Sequence, residues 1–72
     1  MQIVVRSDMA ATVLDIIAVN GATVEEGDTL LIREAMKMEL PVAAPRGGVV
    51  RAVHVAVGDV VEEDQLLITL ES

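Results

Sequence analysis

The amino-acid sequence predicts an all-β fold, a small sandwich or flattened barrel with approximate two-fold symmetry. Short segments rich in Val, Ile and Leu are evenly spaced along the chain, and turn-forming residues separate them. No stretch combines helical periodicity with capping residues. The second half of the chain also repeats the first without a gap, at an offset of 37 positions. Short strands in two similar halves indicate a small closed β-structure.

Eight short strands are expected, and Ser7-Asp8, Asn20-Gly21 and Gly58-Asp59 provide turn signals between them. Pro41 cannot donate a ladder hydrogen bond, so its strand is expected at a sheet edge. We also expect the second and sixth strands to pair with each other. In chain order the expected strands are residues 3–5, 12–19, 24, 29–34, 38–43, 49–55, 60–61 and 66–70.

The repeat relates equivalent positions in the two halves and therefore predicts a quasi-two-fold axis. Under the offset, Lys37 corresponds to a position just beyond Ser72. We therefore expect the segment around Lys37 and the paired chain ends to lie at opposite poles. The matched positions include Gly21 with Gly58, Val24 with Val61, Leu30 with Leu67 and Glu34 with Glu71.

The connection at residues 34–39 is the main candidate for a functional site. Lys37 is the only lysine, it lies between Met36 and Met38, and the four other basic residues are arginines. The segment joins two strands yet lacks the Gly, Asn or Asp that a two-residue hairpin turn favours. A local rule broken at one place often marks a functional site. The alternative is a solvated lysine beside two methionines that fill the core.

If Met36 and Lys37 are the central residues of a tight turn, one or both must adopt positive φ. The strands on either side are expected to impose this strained conformation. Glu34 and Glu39 are expected to face each other across the hairpin as a polar rim. The exposed methionines beside a lone lysine suggest a recognition surface.

The composition limits the possible partners. The chain has 72 residues, enough for one small domain, with 12 acidic and 5 basic residues and a net charge of −7. We do not expect nucleic acid as a partner, because this charge repels phosphates and no aromatic side chain is available to stack on bases. No apolar run is long enough to span a membrane. The absence of Cys gives no sign of an oxidising compartment, so a cytoplasmic location is expected.

The segment Ala35-Met36-Lys37-Met38 resembles the attachment motif of the biotinyl domains of biotin-dependent carboxylases. The flanking sequence resembles the same family over nearly the whole chain, and a long framework is far more specific than four residues alone. The supporting elements are Gly21-x-x-Val24-x-x-Gly27-x-x-Leu30-x-x-x-Glu34, Val42-x-Ala44-Pro45-x-x-Gly48-x-Val50 and Gly58-Asp59-x-Val61.

The resemblance implies two antiparallel sheets of about four strands each and a single biotin carboxyl carrier domain over residues 1–72. It also implies that a biotin protein ligase attaches biotin covalently to Lys37, using Glu34, Ala35, Met36, Met38 and Glu39 for recognition. A biotin carboxylase would then load a carboxyl group, and a carboxyltransferase would pass it to an acceptor. The domain itself would be a non-catalytic swinging arm.

Two alternatives remain open at the level of sequence. A lipoyl carrier shares the fold and the hairpin lysine, although such domains typically have an acid before the lysine and a small residue after it. An interaction module without a prosthetic group is the more distant alternative. The lone His54 is expected to be structural or exposed to solvent rather than a base or ligand.

The sequence departs from the family pattern at a few positions. Ala11 stands where these domains usually have Gly, and Asp64 stands at the position equivalent to Gly27. If Gly supplied a positive φ there, each site needs a local adjustment. The usual Ala/Pro-rich tether before the first strand is missing, so the chain is either a free-standing carrier or an excised domain. We expect a free-standing carrier, because the chain begins with Met and ends cleanly.

Overall fold

A computed structural model describes all 72 residues and contains eight β-strands and no helix. The number and order of the strands confirm the sequence prediction. The strands are β1 (Gln2–Arg6), β2 (Ala11–Ile16), β3 (Thr23–Val24), β4 (Thr29–Ala35), β5 (Met38–Ala43), β6 (Gly48–Val53), β7 (Val60–Val61) and β8 (Leu66–Glu71).

The strands form two four-stranded antiparallel sheets, which confirms the predicted fold class. One sheet has the order β1-β8-β6-β3 and the other has the order β5-β4-β2-β7. The 37-residue offset relates β1 to β5, β8 to β4, β6 to β2 and β3 to β7. The two sheets therefore have equivalent strands in the same order. The registers agree too, since Gln2 faces Glu71 in one sheet and Glu39 faces Glu34 in the other. The predicted two-fold symmetry is therefore present in the backbone.

The predicted pairing of the second and sixth strands is wrong. β2 pairs with β4 and β7, whereas β6 pairs with β3 and β8. Because β2 and β6 are equivalent under the two-fold axis, each occupies the same place in a different sheet. Both strands also end earlier than expected, at Ile16 and Val53, because the chain then crosses from one sheet to the other. Ala18 and Val55 remain buried after these crossings, so their apolar character reflects packing.

The core lies between the two sheets and is entirely aliphatic. Its fully buried members include Leu30 and Leu31 of β4 and Leu67, Ile68 and Leu70 of β8. β4 and β8 are equivalent central strands, so the repeat supplies the largest core side chains from both sheets. β-Branched and leucine side chains fill this narrow interior in few rotamers, which allows a core without aromatic residues.

The chain ends and the β4–β5 hairpin occupy equivalent positions under the two-fold symmetry of an elongated molecule, 33 Å long and 17 Å wide. At one end the amine of Met1 donates to the Ser72 carbonyl at 2.7 Å, and the Ser72 N–H donates to the Met1 carbonyl at 2.9 Å. At the equivalent place in the other sheet Ala35 faces Met38. β1 runs away from the chain ends, and the loop after it leads to β2 beside the hairpin. This arrangement agrees with the predicted separation of the two poles.

Two positions at which the family pattern or the repeat has glycine differ in their backbone conformations in the structure. Asp64 adopts a φ of 71°, close to the 90° of the equivalent Gly27, so the chain accepts the strained conformation without a glycine. Ala11 is buried at the start of β2 and has no positive φ, so it needs no such adjustment. Pro41 lies on β5 at the edge of its sheet, as predicted. No helix capable of crossing a lipid bilayer is present.

Candidate functional site

The β4–β5 hairpin ends in a two-residue turn formed by Met36 and Lys37. Ala35 and Met38 are the last paired residues, and the two turn residues have φ values of 52° and 63°. Two successive positive φ angles are typical of the type I′ turn, whose twist matches the strands that it joins. For non-glycine residues such angles cost of order 1 kcal/mol each and persist where the surroundings impose them. The predicted strained turn is present, with both residues in the left-handed region.

The turn presents Lys37 to solvent together with its two neighbouring methionines. Met36 is 87% exposed and Met38 is 56% exposed, which excludes the alternative that they fill the core. Lys37 is exposed, and the two ion pairs of the structure involve other residues. Ala35 is half-buried and presents only a methyl group beside the turn. The lysine amine is therefore freely accessible in a setting of exposed thioether side chains.

A pair of acidic residues lies directly below the turn. Glu34 and Glu39 are cross-strand partners, as predicted, and both are exposed. Like charges placed directly opposite each other in an antiparallel pair destabilise it. The hairpin tip thus has two negative charges next to the positive charge of Lys37.

A buried arginine lies on β4 in the third cross-strand pair from the turn, four residues before Lys37. Arg33 is only 6% exposed, and its Nη1 donates to Asp8 Oδ1 at 2.6 Å and to Ser7 Oγ at 3.0 Å. Its Nε also donates to the Leu40 carbonyl, the cross-strand partner on β5, at a longer 3.4 Å. No buried side-chain nitrogen or oxygen of the molecule lacks a partner. The guanidinium therefore links both hairpin strands to the loop between β1 and β2.

The charge of Arg33 acts on its carboxylate partner. The hydrogen bond from Arg33 and, next, its positive charge hold the pKa of Asp8 below the usual aspartate value. The Asp8 side chain is 81% exposed, whereas the Arg33 side chain is 7% exposed. The ion pair thus joins a buried cation to a solvated anion at the surface of the loop.

Sequence reasoning did not single out Arg33, and it identified Ser7 and Asp8 only as a turn signal. The available signal was the internal repeat, because the 37-residue offset places Arg33 on Leu70, a fully buried core residue. A charged residue at a core position of a repeat predicts a local partner. The other residue considered from sequence, His54, lies just after β6 with its Nε2 2.8 Å from Thr69 Oγ1, in the sheet that does not contain Lys37.

The fold and the site define a class of protein: a two-sheet β-domain that displays one reactive amine at the tip of a hairpin. The sequence model of the family described as "Biotin-requiring enzyme" matches residues 3–70. The chain therefore belongs to this family, and biotin is its cofactor, as the sequence predicts.

Comparison with curated proteins gives relatives of very different lengths. The chain is 41% identical over 63 residues to a protein of Mycobacterium leprae named biotinylated protein TB7.3 homolog, covering 88% of this chain and 89% of the relative. It is 42% identical over 62 residues to the biotin carboxyl carrier protein of Streptococcus mutans, covering 86% of this chain and 48% of the relative. It is also 40% identical over 67 residues to the pyruvate carboxylase of Bacillus subtilis, covering 93% of this chain but 6% of that enzyme.

Solved structures of large carboxylases contain the same fold. The urea carboxylase of Kluyveromyces lactis matches with a TM-score of 0.93 and 31% identity over 99% of this chain and 6% of that chain. A single-chain, multi-domain long-chain acyl-CoA carboxylase matches with a TM-score of 0.89 and 34% identity over 94% of this chain and 7% of that chain. The chain thus corresponds to one small part of these enzymes.

Proposed function

We propose that this chain is a biotin carrier in which Nζ of Lys37 is joined by an amide bond to the carboxyl group of biotin. The observation that carries the proposal is the position of the only lysine at the tip of an exposed two-residue turn. The family match and the relatives named as biotinylated or as biotin carboxyl carriers support it. The residues fit the group, because Lys37 is exposed to solvent and a neutral primary amine is a competent acyl acceptor.

The protein contributes presentation rather than catalysis. The strands β4 and β5 fix where the lysine leaves the domain, while its four-carbon stem stays mobile. When bound, biotin supplies a ring that accepts and releases a carboxyl group. The lysine stem and the biotin chain together act as a swinging arm, and tethering raises the effective concentration of the carried group at each enzyme that it visits.

The residues around Lys37 have separate roles in recognition by a biotin protein ligase. Met36 and Met38 offer exposed, flexible apolar side chains to an apolar surface of the ligase. The small side chain of Ala35 leaves room for close approach, and Glu34 and Glu39 provide a charged rim that favours a basic docking face. These five residues are the proposed recognition site.

The partners proposed beyond the ligase are a biotin carboxylase, which loads the carboxyl group, and a carboxyltransferase, which transfers it to an acceptor. The relatives and solved structures named as carboxylases support carboxylase partners in general. We propose that residues 1–72 form one carrier domain, because both sheets share a single core. The cytoplasmic location stays a prediction from the sequence.

A lipoyl carrier and an unmodified interaction module are the alternatives that the experiment must exclude. The relatives named for biotin favour biotin over lipoate. The exposed methionines on both sides of Lys37 also fit the biotinyl pattern described from the sequence.

Replacing Lys37 with Arg tests the attachment site. Arg keeps the positive charge but offers no amine that can be acylated at accessible pH. After incubation with biotin ligase, ATP and biotin, we expect a streptavidin blot to detect the parent chain and not the Lys37→Arg variant. Circular dichroism should show the same β-structure for both, since the side chain is exposed.

A matched control uses the same background with one lysine placed elsewhere. The double variant Lys37→Arg, Arg51→Lys has a single lysine, at an exposed position within β6 rather than in the hairpin turn. We expect no signal from it. A signal from this variant would mean that the ligase accepts any exposed lysine, and a signal from Lys37→Arg alone would place the modification on the Met1 amine.

A further inference from the structure

The cluster formed by Arg33, Ser7 and Asp8 occurs in only one half of a symmetric fold. At the equivalent positions the second half has Leu70, Ala44 and Pro45. Leu70 is fully buried and Ala44 is 2% exposed, so the same site in the other sheet is filled by apolar side chains. The two sites therefore differ in the polarity of their side chains and not in the path of the backbone.

The backbone around both sites is held by the same hydrogen bonds. The Ser7 N–H donates to the Gln65 carbonyl at 2.9 Å, and the Ala44 N–H donates to the Asp28 carbonyl at 2.7 Å. The Ser7 carbonyl accepts from the Asp64 N–H at 2.7 Å, and the Ala44 carbonyl accepts from the Gly27 N–H at 2.8 Å. The fold thus makes the same backbone hydrogen bonds at this corner when apolar side chains fill it.

Burying a guanidinium is a costly way to fill such a corner. Removing the charge from water has a desolvation penalty that the ion pair offsets only with good geometry, and well-packed apolar residues are often as stable or more stable. Stability alone therefore does not explain why Arg33 occupies the half that contains Lys37. The cluster adds directional hydrogen bonds. A planar guanidinium fixes the orientation of its partners, whereas apolar contacts do not.

The contacts of Arg33 connect the hairpin to a fixed part of the molecule. Ser7 is 1% exposed and its backbone is bonded to the turn before β8, so it is a rigid anchor. Its hydroxyl donates to the Met9 carbonyl at 2.6 Å and accepts from Arg33. Through Arg33 the anchor holds β4, and through the Leu40 carbonyl it also holds β5. Both strands leading to Lys37 are thereby fixed relative to the opposite sheet.

We propose that Arg33, Ser7 and Asp8 form a positioning cluster that sets the direction in which the hairpin presents Lys37 to the biotin ligase. The inference rests on the proposed function for its consequence, but the mechanical role of the cluster does not depend on biotin. Arg33 is a positioning residue, since it acts through the hairpin and does not contact the reacting amine. The exposed Asp8 orients the guanidinium from the solvent side, and the buried Ser7 orients it from the protein side.

The test copies the apolar site of the second half into the first. In the triple variant Ser7→Ala, Asp8→Pro, Arg33→Leu, each residue takes the identity of its equivalent. We expect the thermal midpoint to be equal or higher, because the same filling already stabilises the other corner. We expect kcat/KM for biotinylation by purified biotin ligase to fall about tenfold, since small errors in position have large effects on rate.

Two further measurements separate positioning from stability. The backbone 15N order parameters of residues 36–38 should fall from the value of about 0.85 typical of rigid backbone. Arg33→Lys keeps the charge but not the planar set of donors, so it should give an intermediate rate even if the triple variant folds poorly. Arg51→Leu, at an exposed arginine on β6, is the matched control and should leave the rate and the order parameters unchanged.

The outcomes distinguish the two proposals. Wild-type rates and unchanged order parameters in both the triple variant and Arg33→Lys would overturn the positioning role. A rate that falls only in proportion to the loss of thermal stability would also overturn it, since that is the behaviour of a purely structural residue. Failure of the parent chain to accept biotin would instead overturn the proposed function, and the order parameters would still test the cluster.

Discussion

The two ends of the molecule have the same architecture and different chemistry. At the chain-end pole Gln2 faces Glu71, and the amine of Met1 lies 3.8 Å from the Glu71 carboxylate. At the hairpin pole two glutamates, Glu34 and Glu39, occupy the equivalent positions and face each other. The cross-strand pair thus contains one carboxylate at the chain-end pole and two at the hairpin pole.

The hairpin pole contains three features that a fold selected for stability alone would avoid. It has two non-glycine residues at positive φ, a directly opposed acid pair, and a buried arginine in place of a leucine. Each feature carries a free-energy cost. Their concentration at one of two equivalent sites supports the proposed attachment site at that pole, on a backbone that both halves share.

The largest expected effect comes from removing the two thioether side chains of the hairpin pole. In the double variant Met36→Asp, Met38→Ala we expect kcat/KM for biotinylation to fall about tenfold to a hundredfold, equivalent to about 1.4–2.8 kcal/mol. Both side chains are exposed, so the fold should be retained. The same variant should become a better substrate for a lipoate ligase, if the side chains on either side of Lys37 determine which ligase accepts the domain, as proposed. Unchanged modification by both ligases would contradict a recognition role for the methionines.

The ion pair between Arg33 and Asp8 predicts that the stability of the fold depends on pH. The equivalent apolar corner of the other half has no such dependence. The pKa of Asp8 is lowered by Arg33, so the folded state binds this proton less tightly than the unfolded state. The stabilisation is fully present above the ordinary aspartate pKa of 3.8 and is lost as the pH falls through the lower pKa of the folded state. Asp8→Asn should therefore be less stable than the parent at pH 7.

The stability difference between parent and Asp8→Asn should close as the pH is lowered below 4. Thermal or urea unfolding at a series of pH values measures it. Asp28→Asn is not a suitable control, because its carboxylate accepts from the Glu25 N–H. Glu26→Gln is a suitable control, because the Glu26 side chain is exposed and makes no hydrogen bond or ion pair. A difference that persists unchanged at low pH would contradict the role assigned to the Asp8 carboxylate.

The strained turn predicts a smaller gain in stability. Met36→Gly removes an exposed side chain at a φ of 52°, so it should raise the free energy of unfolding by about 0.5–1 kcal/mol. For a domain of this size the thermal midpoint should rise by about 3–6 °C. Biotinylation should nevertheless become slower, because a side chain of the proposed recognition site is lost.

Asp64→Gly is the matched control for the strained turn. Asp64 has a φ of 71° at the position equivalent to Gly27, outside the proposed recognition site. It should give a similar gain in stability without slowing biotinylation. A clear loss of stability in Met36→Gly, with the expected gain in Asp64→Gly, would show that the hairpin turn is relaxed.

The smallest expected effect makes the two poles alike in charge. Glu39→Gln reproduces the Gln2–Glu71 pairing at the hairpin and should raise stability by about 0.2–0.5 kcal/mol at low salt. Because both carboxylates are exposed, the gain should shrink at high salt. A gain that is independent of salt would show that like-charge repulsion is not its cause.

Much of this structure could be predicted from the sequence because the signals were local. The periodicity and the turn residues predicted eight strands in the right order, and the lack of glycine at Met36 and Lys37 predicted a strained turn. Exposure of both methionines followed from their place at that turn. These properties depend on a few neighbouring residues, which is why sequence alone was sufficient.

The errors concerned properties that depend on the whole fold. A repeat shows which segments are equivalent, but it does not show which segments are neighbours, so β2 and β6 were wrongly paired. Ala18 and Val55 extended the apolar pattern of their strands, although they pack against the core after the chain has crossed between sheets. Arg33 escaped notice because its partners, Ser7 and Asp8, are distant along the chain and close only in the folded protein.

The central claim is that the departures from symmetry serve the attachment of biotin to Lys37. Its most direct test is the intact mass of the protein after expression with biotin ligase and biotin, followed by mass spectrometry of the peptide that contains residues 34–39. The account predicts the mass of one biotinyl group, located on Lys37 and absent from the Lys37→Arg variant. An unmodified mass, a lipoyl group in place of biotin, or a biotinyl group on the Met1 amine would contradict it.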